Sequence, residues 1–452
     1  MEQTIPRPNR RGSPVFPSAQ ASLPRQLGLG AAVAAIAGEA IGVGIFLTPA
    51  GMARQLGSPF WLLVVWLLMG LMAVTGALCF GGLAARYPEA GGAYVYLREA
   101  FGERLAFLYG WMQLLVLDPG VTASLAVGMA AYTVVLVPLS PIGQKILGIA
   151  VILAIAALNI GATRLGSGFL QAVTWFKVGA LALLPVWAVV RGAGRGAHFL
   201  PFFTQRAGSA PLFAALAGGC VAAFYSFGGW WDAAKIAGEV RDPERVMPRA
   251  LTLGVVGVTF VYILVTGVFI YVVPFRQITS GETFMAQAGV RLFGPAGGAV
   301  LAALVVACVL GSMAALMMLS PRVYYAMARD GLFFPAVAQV HPRFRTPARA
   351  IAIQAVLASL LVALGTFRQI VAYFVFVAVV FLGVTVAGVI RLHHRAADGA
   401  MPVVPGYPYT PGIFLGFVVL LLMLLAGHNP LQAFYGVAIV AGGIPVFRLV
   451  RR

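Results

Sequence analysis

Charge is what this sequence has least of. Only 10% of its 452 residues are Asp, Glu, Lys or Arg, where soluble domains carry about 25%. That deficit excludes a chain that folds in water. Hydrophobic residues make up 61%, and the mean hydropathy is +0.93. Cysteine is nearly absent. Cys79, Cys220 and Cys308 are scattered through apolar runs, which excludes a disulfide framework or a cysteine metal site. His198, His341, His393, His394 and His428 fall near loops and run ends, without metal spacing. The apolar runs lack the period-two alternation of a barrel. No nucleophile–base pair or metal cluster stands out, so neither an enzyme nor a cofactor is expected. Acid is scarcer than base, 13 residues against 31, for a net charge of +18. An excess of base can suit nucleic acid, but here it collects in the connectors between apolar runs. That is how cytoplasmic loops of membrane proteins are built, so no nucleic-acid partner is expected.

What is present is a series of apolar runs, each near the ~20 residues that cross a bilayer as a helix. The sequence predicts an all-α integral membrane protein of about twelve spans. Their approximate limits are 28–55, 60–84, 102–135, 144–159, 168–190, 211–238, 248–273, 297–328, 348–366, 369–391, 412–427 and 431–449. The fourth run is short, and the ninth and tenth are separated only by Gly365 to Arg368. With the N-terminus inside, the inner connectors hold Arg86, Arg98, Arg104, Lys235, Arg241, Arg245, Arg322 and Arg329, among others. The outer ones hold far fewer, among them Arg54, Lys145 and Arg191. Both termini are therefore expected in the cytoplasm, in the inner (cytoplasmic) membrane. Residues 1–27 are polar, Pro-rich and basic, and read as a disordered cytoplasmic tail rather than a signal peptide.

Two runs are interrupted. The first contains Gly38 to Pro49, GEAIGVGIFLTP, with Gly42 and Gly44 one residue apart. Glycines at that spacing free the backbone to leave helical geometry. In a bilayer such a break is tolerated only where it lines a protein cavity. The sixth contains Phe224 to Trp230, FYSFGGW, a second glycine-interrupted stretch five runs later. Matched interruptions in two halves point to an inverted-repeat transporter and to its binding site. Five is odd, so the second half enters the membrane from the opposite side. Beyond the first break a helix begins, and its free amides near Val43, Gly44 and Ile45 favour a carboxylate. At the second break a helix ends, and carbonyls near Tyr225, Ser226 and Phe227, with those near Ile41, favour an ammonium. Together they describe an α-amino acid. The alternative is that these glycines only allow close helix packing.

The motifs GEAIGVGIFLTP, RYPEAGGAYVYLREAFG (Arg86 to Gly102), FGGWWDAAKIAGEVRDPERVMPRA (Phe227 to Ala250) and SPRVYYAMARDGLFFPAVAQVHPRFRTPARAI (Ser320 to Ile351) keep their order along the chain. From about residue 28 to 450 the chain resembles the amino acid–polyamine–organocation superfamily, and within it bacterial members of the L-type amino acid transporter family. The resemblance implies a five-plus-five inverted repeat with broken helices 1 and 6, two peripheral helices, and transport by alternating access. The halves would be 28–190 and 211–391, joined by an extracellular loop 191–210 and followed by 392–452 with helices 11 and 12. It also implies that Gly42, Val43 and Gly44 hold the substrate carboxylate, and that Tyr225, Ser226 and Gly228 take the amino group.

Ionisable residues inside spans are functional candidates by default. Lys177 is the only lysine deep in a predicted span. The resemblance implies that it fills the place of sodium in sodium-driven relatives, contacting carbonyls near Gly38 and Ile41 and linking helix 1 to helix 8. Transport would then be sodium-independent. Snorkelling toward an interface is the alternative. Glu39, one turn before the first break, is a candidate for coupling, for pairing with Lys177, or for a vestibule. Asp118, beside Pro119 in the third span, departs from the family pattern, in which eukaryotic relatives often place a base before this proline. It suits a cationic substrate, a proton, or a structural partner. Asp232 reads as a cap on the inner half of helix 6, and Trp230 as an aromatic gate over the substrate. The expected partners are an amino acid and the lipid bilayer, without a covalently linked accessory subunit.

Overall fold

In the computed structural model, residues 25–161, 165–278, 281–344, 346–365, 367–395, 403–428 and 430–450 are described. The expected tail lies outside them except for its last residues. Those are tethered: Gln26 and Leu27 donate to the Glu239 carbonyl, and Arg241 donates back to Leu27.

The described residues are all-helical, with one isolated bridge among them, between Leu27 and Val240. The helices are α1 Leu29–Ala40, α2 Gly44–Leu56, α3 Pro59–Arg86, α4 Ala93–Phe101, α5 Glu103–Met112, α6 Asp118–Thr133, α7 Pro141–Gly161, α8 Leu165–Val190 and α9 Leu212–Phe227. There follow α10 Pro243–Val272, α11 Gly281–Phe293, α12 Gly297–Leu319, α13 Pro321–Arg329, α14 Ala348–Leu364, α15 Phe367–Arg395, α16 Tyr409–His428 and α17 Pro430–Val450. Among the described residues, eight helical runs are long and apolar enough to cross a membrane. The bent pair α1–α2 makes a ninth, and three shorter apolar helices, within α14, α16 and α17, complete the twelve. The division between spans nine and ten falls where expected, with α14 ending at Leu364 and α15 starting at Phe367. Two helices were not foreseen as such. α4 is carved out of the loop after α3, and α11 lies between the seventh and eighth spans.

Proline marks several starts. It occupies the first turn of α3, α10 and α13, where its missing N–H would be unpaired anyway. Large apolar side chains such as Leu153, Leu158, Phe176, Leu183 and Phe260 remain exposed along mid-helix faces, as a lipid-facing surface requires.

Several spans pack on the span five further along the chain. α3 packs on α10, α6 on α12, and α7 on α14, each a span against its counterpart five spans on. The second half of the first span, α2, lies against α9 of the sixth. α16 and α17 pack outside this arrangement, on α3, α5 and α15. The two broken spans are therefore held together at the centre by their neighbours.

Candidate functional site

The first span breaks where glycine predicts. Ile41 N–H still bonds to Ala37, Gly42 N–H turns back to Ala40, and helical bonding resumes with Phe46 and Leu47 on the Val43 carbonyl. The amides of Val43, Gly44 and Ile45 therefore sit ahead of the first bonded N–H of α2, as free helix-start donors. The two halves are bent by 47°. In the sixth span α9 ends at Phe227, Gly229 takes φ +102, and a 3-10 run Trp230–Glu239 follows. That φ is one a residue with a Cβ rarely adopts. The breaks touch. A Cβ on Gly44 would come within 2.8 Å of Ser226 Cα, so this glycine also serves close packing. The Tyr262 hydroxyl lies 2.5 Å from the Ala40 carbonyl and 2.7 Å from that of Ser226. It joins the two breaks from α10. A lone tyrosine in an apolar run gave no signal of this.

Lys177 is fully buried, and its ammonium is caged by dipoles. Nζ lies 2.5 Å from the Gly38 carbonyl, 2.9 Å from Ile41, 3.0 Å from Ser312 Oγ and 3.5 Å from the Cys308 carbonyl. The Ser312 hydroxyl lies at 2.8 and 2.9 Å from the same two α1 carbonyls. Lys177 thus joins α8, the end of α1 and α12, rather than reaching for an interface. Its partners are carbonyls and a hydroxyl, the oxygen ligands that suit a hard cation.

Between the breaks is a cavity of about 50 Å³. Of the residues singled out in the sequence, Glu39, Gly42, Val43, Gly44, Tyr225, Ser226 and Gly228 line it, with Asp232 and apolar residues of α6 and α15. Ile41, Ile45, Phe227 and Trp230 do not. The Ile41 carbonyl faces Lys177 instead. Phe227 and Trp230 line a smaller apolar hollow of about 10 Å³ with Met69, Met72 and Phe414. The aromatic ring on the cavity belongs to Trp231, stacked on Phe224 with ring centroids 5.9 Å apart.

Asp118 and Lys177 also lie off the cavity. Asp118 sits in a buried ionic cluster that the sequence reading divided wrongly. Lys235, counted there among the charges of an inner connector, is buried, with Nζ 3.3 Å from Asp118 and 2.9 Å from Asp232. Ser320 Oγ is 3.5 Å away, and the Tyr324 hydroxyl donates to the other Asp118 oxygen. Asp232 is no cap: the cap position of its 3-10 run is Gly229, and no side chain bonds there. The cluster forms because the second half of the sixth span stays apolar on its other faces and packs against α1, α3, α10 and α12. A π turn at Gln113–Leu117 widens the third span just ahead of Asp118 and Pro119. Further out, Arg98 reaches Glu89, Glu99 and Asp330, and Arg322 reaches Glu239 at 3.0 Å. These pairs draw together the arginine-rich connectors. Among the described residues no group of His, Cys, Asp and Glu is arranged to hold a metal ion.

Two broken helices meeting at a small buried cavity are the arrangement expected at the binding site of a secondary transporter. The comparisons with known proteins give its family. The amino acid permease model matches residues 27–444, and the chain belongs to that family. It is 28% identical to a serine/threonine exchanger of Bacillus subtilis, over 94% of this chain and 96% of that one. It is also 28% identical to the human large neutral amino acids transporter small subunit 2, over 95% of this chain and 81% of the other. To the human b(0,+)-type amino acid transporter 1 it is 29% identical, over 84% and 79%.

Proposed function

We propose that this amino acid permease is a sodium-independent secondary transporter of the inner membrane, with both termini cytoplasmic, working by exchange or by proton coupling. The observation that carries the reading is the cavity between the two breaks, with the helix-start amides of Val43 and Gly44 on one wall and the broken sixth span on the other. A zwitterion meets a positive dipole end for its carboxylate, and carbonyl ends with the Glu39 carboxyl for its ammonium. A cavity of about 50 Å³ holds only a few waters at ~10–15 Å³ each. Admitting an amino acid therefore requires the walls to move, as alternating access does between the halves 28–190 and 211–391. Sodium independence rests on Lys177, whose ammonium stands among carbonyls where a cation would otherwise be coordinated.

Uptake by purified protein in liposomes tests this directly. Accumulation should depend on internal amino acid or on a pH gradient and should ignore the sodium gradient. Dependence on sodium would overturn the role given to Lys177, and binding without flux would make the protein a sensor. A second reading, a cationic amino-acid or polyamine antiporter, is favoured by Glu39 and Asp232 on the cavity wall. It requires arginine or putrescine to compete with labelled alanine or leucine, and it fails if they do not.

A further inference from the structure

Glu39 is the anomaly of the cavity. It is buried, it lines the space between the breaks, and neither of its carboxyl oxygens has a hydrogen-bond partner. It packs on the second break, where a Cβ on Gly229 would meet its Cγ at 2.6 Å. The Asp232 carboxyl stands opposite, within hydrogen-bond reach of Glu39 once one of the two acids is protonated.

The cations near this pair are committed, the Tyr225 hydroxyl on the cavity wall lies 3.1 Å from Ser124 Oγ, and the Tyr109 ring stands beside the Asp118–Lys235–Asp232 cluster. Lys235, beside Asp232, is shared with Asp118 of the third span. Lys177, from α8, is held by carbonyls and by Ser312. Tyr262, from α10, lies on the carbonyls of Ala40 and Ser226. Among the described residues, three carboxyls thus surround one ammonium, and Glu39 is the one left over. Two facing carboxyls in a dry site do not both ionise. Of the carbonyls expected to receive an amino group, those of Tyr225, Ser226 and Ile41 already accept a bond each, from Gly228 N–H, Tyr262 and Lys177, and offer the ammonium at most shared, neutral acceptors. Among the described residues, Glu39 is the acid on the wall with neither an ion pair nor a hydrogen bond, whereas Asp232, whose Oδ1 also lacks a hydrogen bond, stands 2.9 Å from the Lys235 ammonium.

We propose that Glu39 and Asp232 share a proton, and that this proton and the ammonium of the bound amino acid exclude one another. This rests on the amino-acid site proposed above. When the ammonium docks, the Glu39 carboxylic acid releases its proton to solvent and becomes the counter-ion. When the substrate leaves, a proton returns. No other bond changes: the ammonium takes the place of the proton's charge, while the substrate carboxylate brings its own negative charge to the amides of Val43 and Gly44, so a zwitterion leaves the site one unit more negative and arginine leaves it unchanged. One positive charge enters for each that leaves, so the site carries either a proton or a substrate ammonium, never both.

The test is calorimetric titration of the purified full-length protein in detergent with L-alanine, L-leucine and L-arginine. Runs at one pH in phosphate and in Tris, whose protonation enthalpies differ, count the protons exchanged. About one proton should be released per amino acid bound, and affinity should rise up to about tenfold per pH unit until Glu39 is ionised. Glu39→Gln should bind more weakly, with an affinity independent of pH and no proton released, while Glu39→Asp keeps the release. Binding to the wild type without proton release overturns the proposal, as does release that persists in Glu39→Gln. If Glu39→Gln yields no protein, the wild-type proton count and its loss in Asp232→Asn decide the matter. If none of the three probes binds the wild type, it is the amino-acid site itself that fails.

Discussion

Two lysines are buried in the membrane-spanning core, and the protein treats them in opposite ways. Lys177 is surrounded by carbonyls and a hydroxyl, with no carboxylate among its bonded partners. Lys235 sits between two carboxylates, Asp118 and Asp232. Dipoles stabilise a cation without themselves changing protonation, so the first site is a fixed strut joining α8, α1 and α12. Carboxylates can exchange protons, so under the proposal above the second site answers to the cavity beside it. A cation held by dipoles therefore braces the first broken span, and a cation held by carboxylates braces the sixth.

The largest effect is expected at Lys235. Replacing it with Met leaves two buried carboxylates without their counter-ion, which costs about 3–5 kcal/mol when one partner of a buried pair is removed. Purified Lys235→Met should melt far below the wild type or fail to accumulate. Adding Asp118→Asn should recover a large part of the loss, because one uncompensated charge then disappears. A Lys235→Met protein as stable as the wild type would mean that the cluster is not held by charge.

Lys177→Ala should do less to stability and more to transport. Its partners are neutral and can accept water, at a cost on the scale of a charge-assisted bond, about 1.5–3 kcal/mol. Yet the end of α1 loses its tie to α8 and α12, and uptake should fall at least about tenfold, some 1.4 kcal/mol in the barrier. Uptake at the wild-type rate would reduce Lys177 to a packing residue and remove the contrast between the two lysines.

The same contrast explains what was legible in the sequence. Lys177 stood out because it interrupts an apolar run, and glycine spacing placed both breaks, because these are properties of single stretches. The twelve spans came from hydropathy for the same reason. Lys235 was hidden because it lies in a charged stretch, AAKIAGEVRDPER, where composition suggests solvent. Only the fold shows that its first residues belong to the buried second half of the sixth span. Trp230 and Trp231 are adjacent, and which ring meets the cavity depends on a φ of +102 at Gly229. Tyr262 needed two carbonyls from different spans to gain a role. Pairings between distant segments carry no local signature, so the network around Asp118 could be suspected but not partnered.

A finer probe of the strut is Ser312→Ala. The hydroxyl lies within 3.0 Å of Lys177 and within 2.9 Å of the Gly38 and Ile41 carbonyls, but it donates a single hydrogen. Its loss should cost about 0.5–1.5 kcal/mol, with uptake reduced several-fold and Lys177 still in place. An effect equal to that of Lys177→Ala would show that hydroxyl and ammonium act as one unit.

The smallest effect should come from the outermost charges. Arg98 binds Glu89, Glu99 and Asp330, more carboxylates than Lys235 has, but its partners keep between 30% and 58% of their side-chain surface exposed. Water and salt screen such pairs, so each is worth about 0–1 kcal/mol. Arg98→Ala should lower the melting temperature by a few degrees at most, and the difference should shrink as salt is raised, whereas the Lys235→Met defect should not. If Arg98→Ala proves as damaging as Lys235→Met, and equally indifferent to salt, then these pairs form a closed gate and burial is not what separates the two clusters.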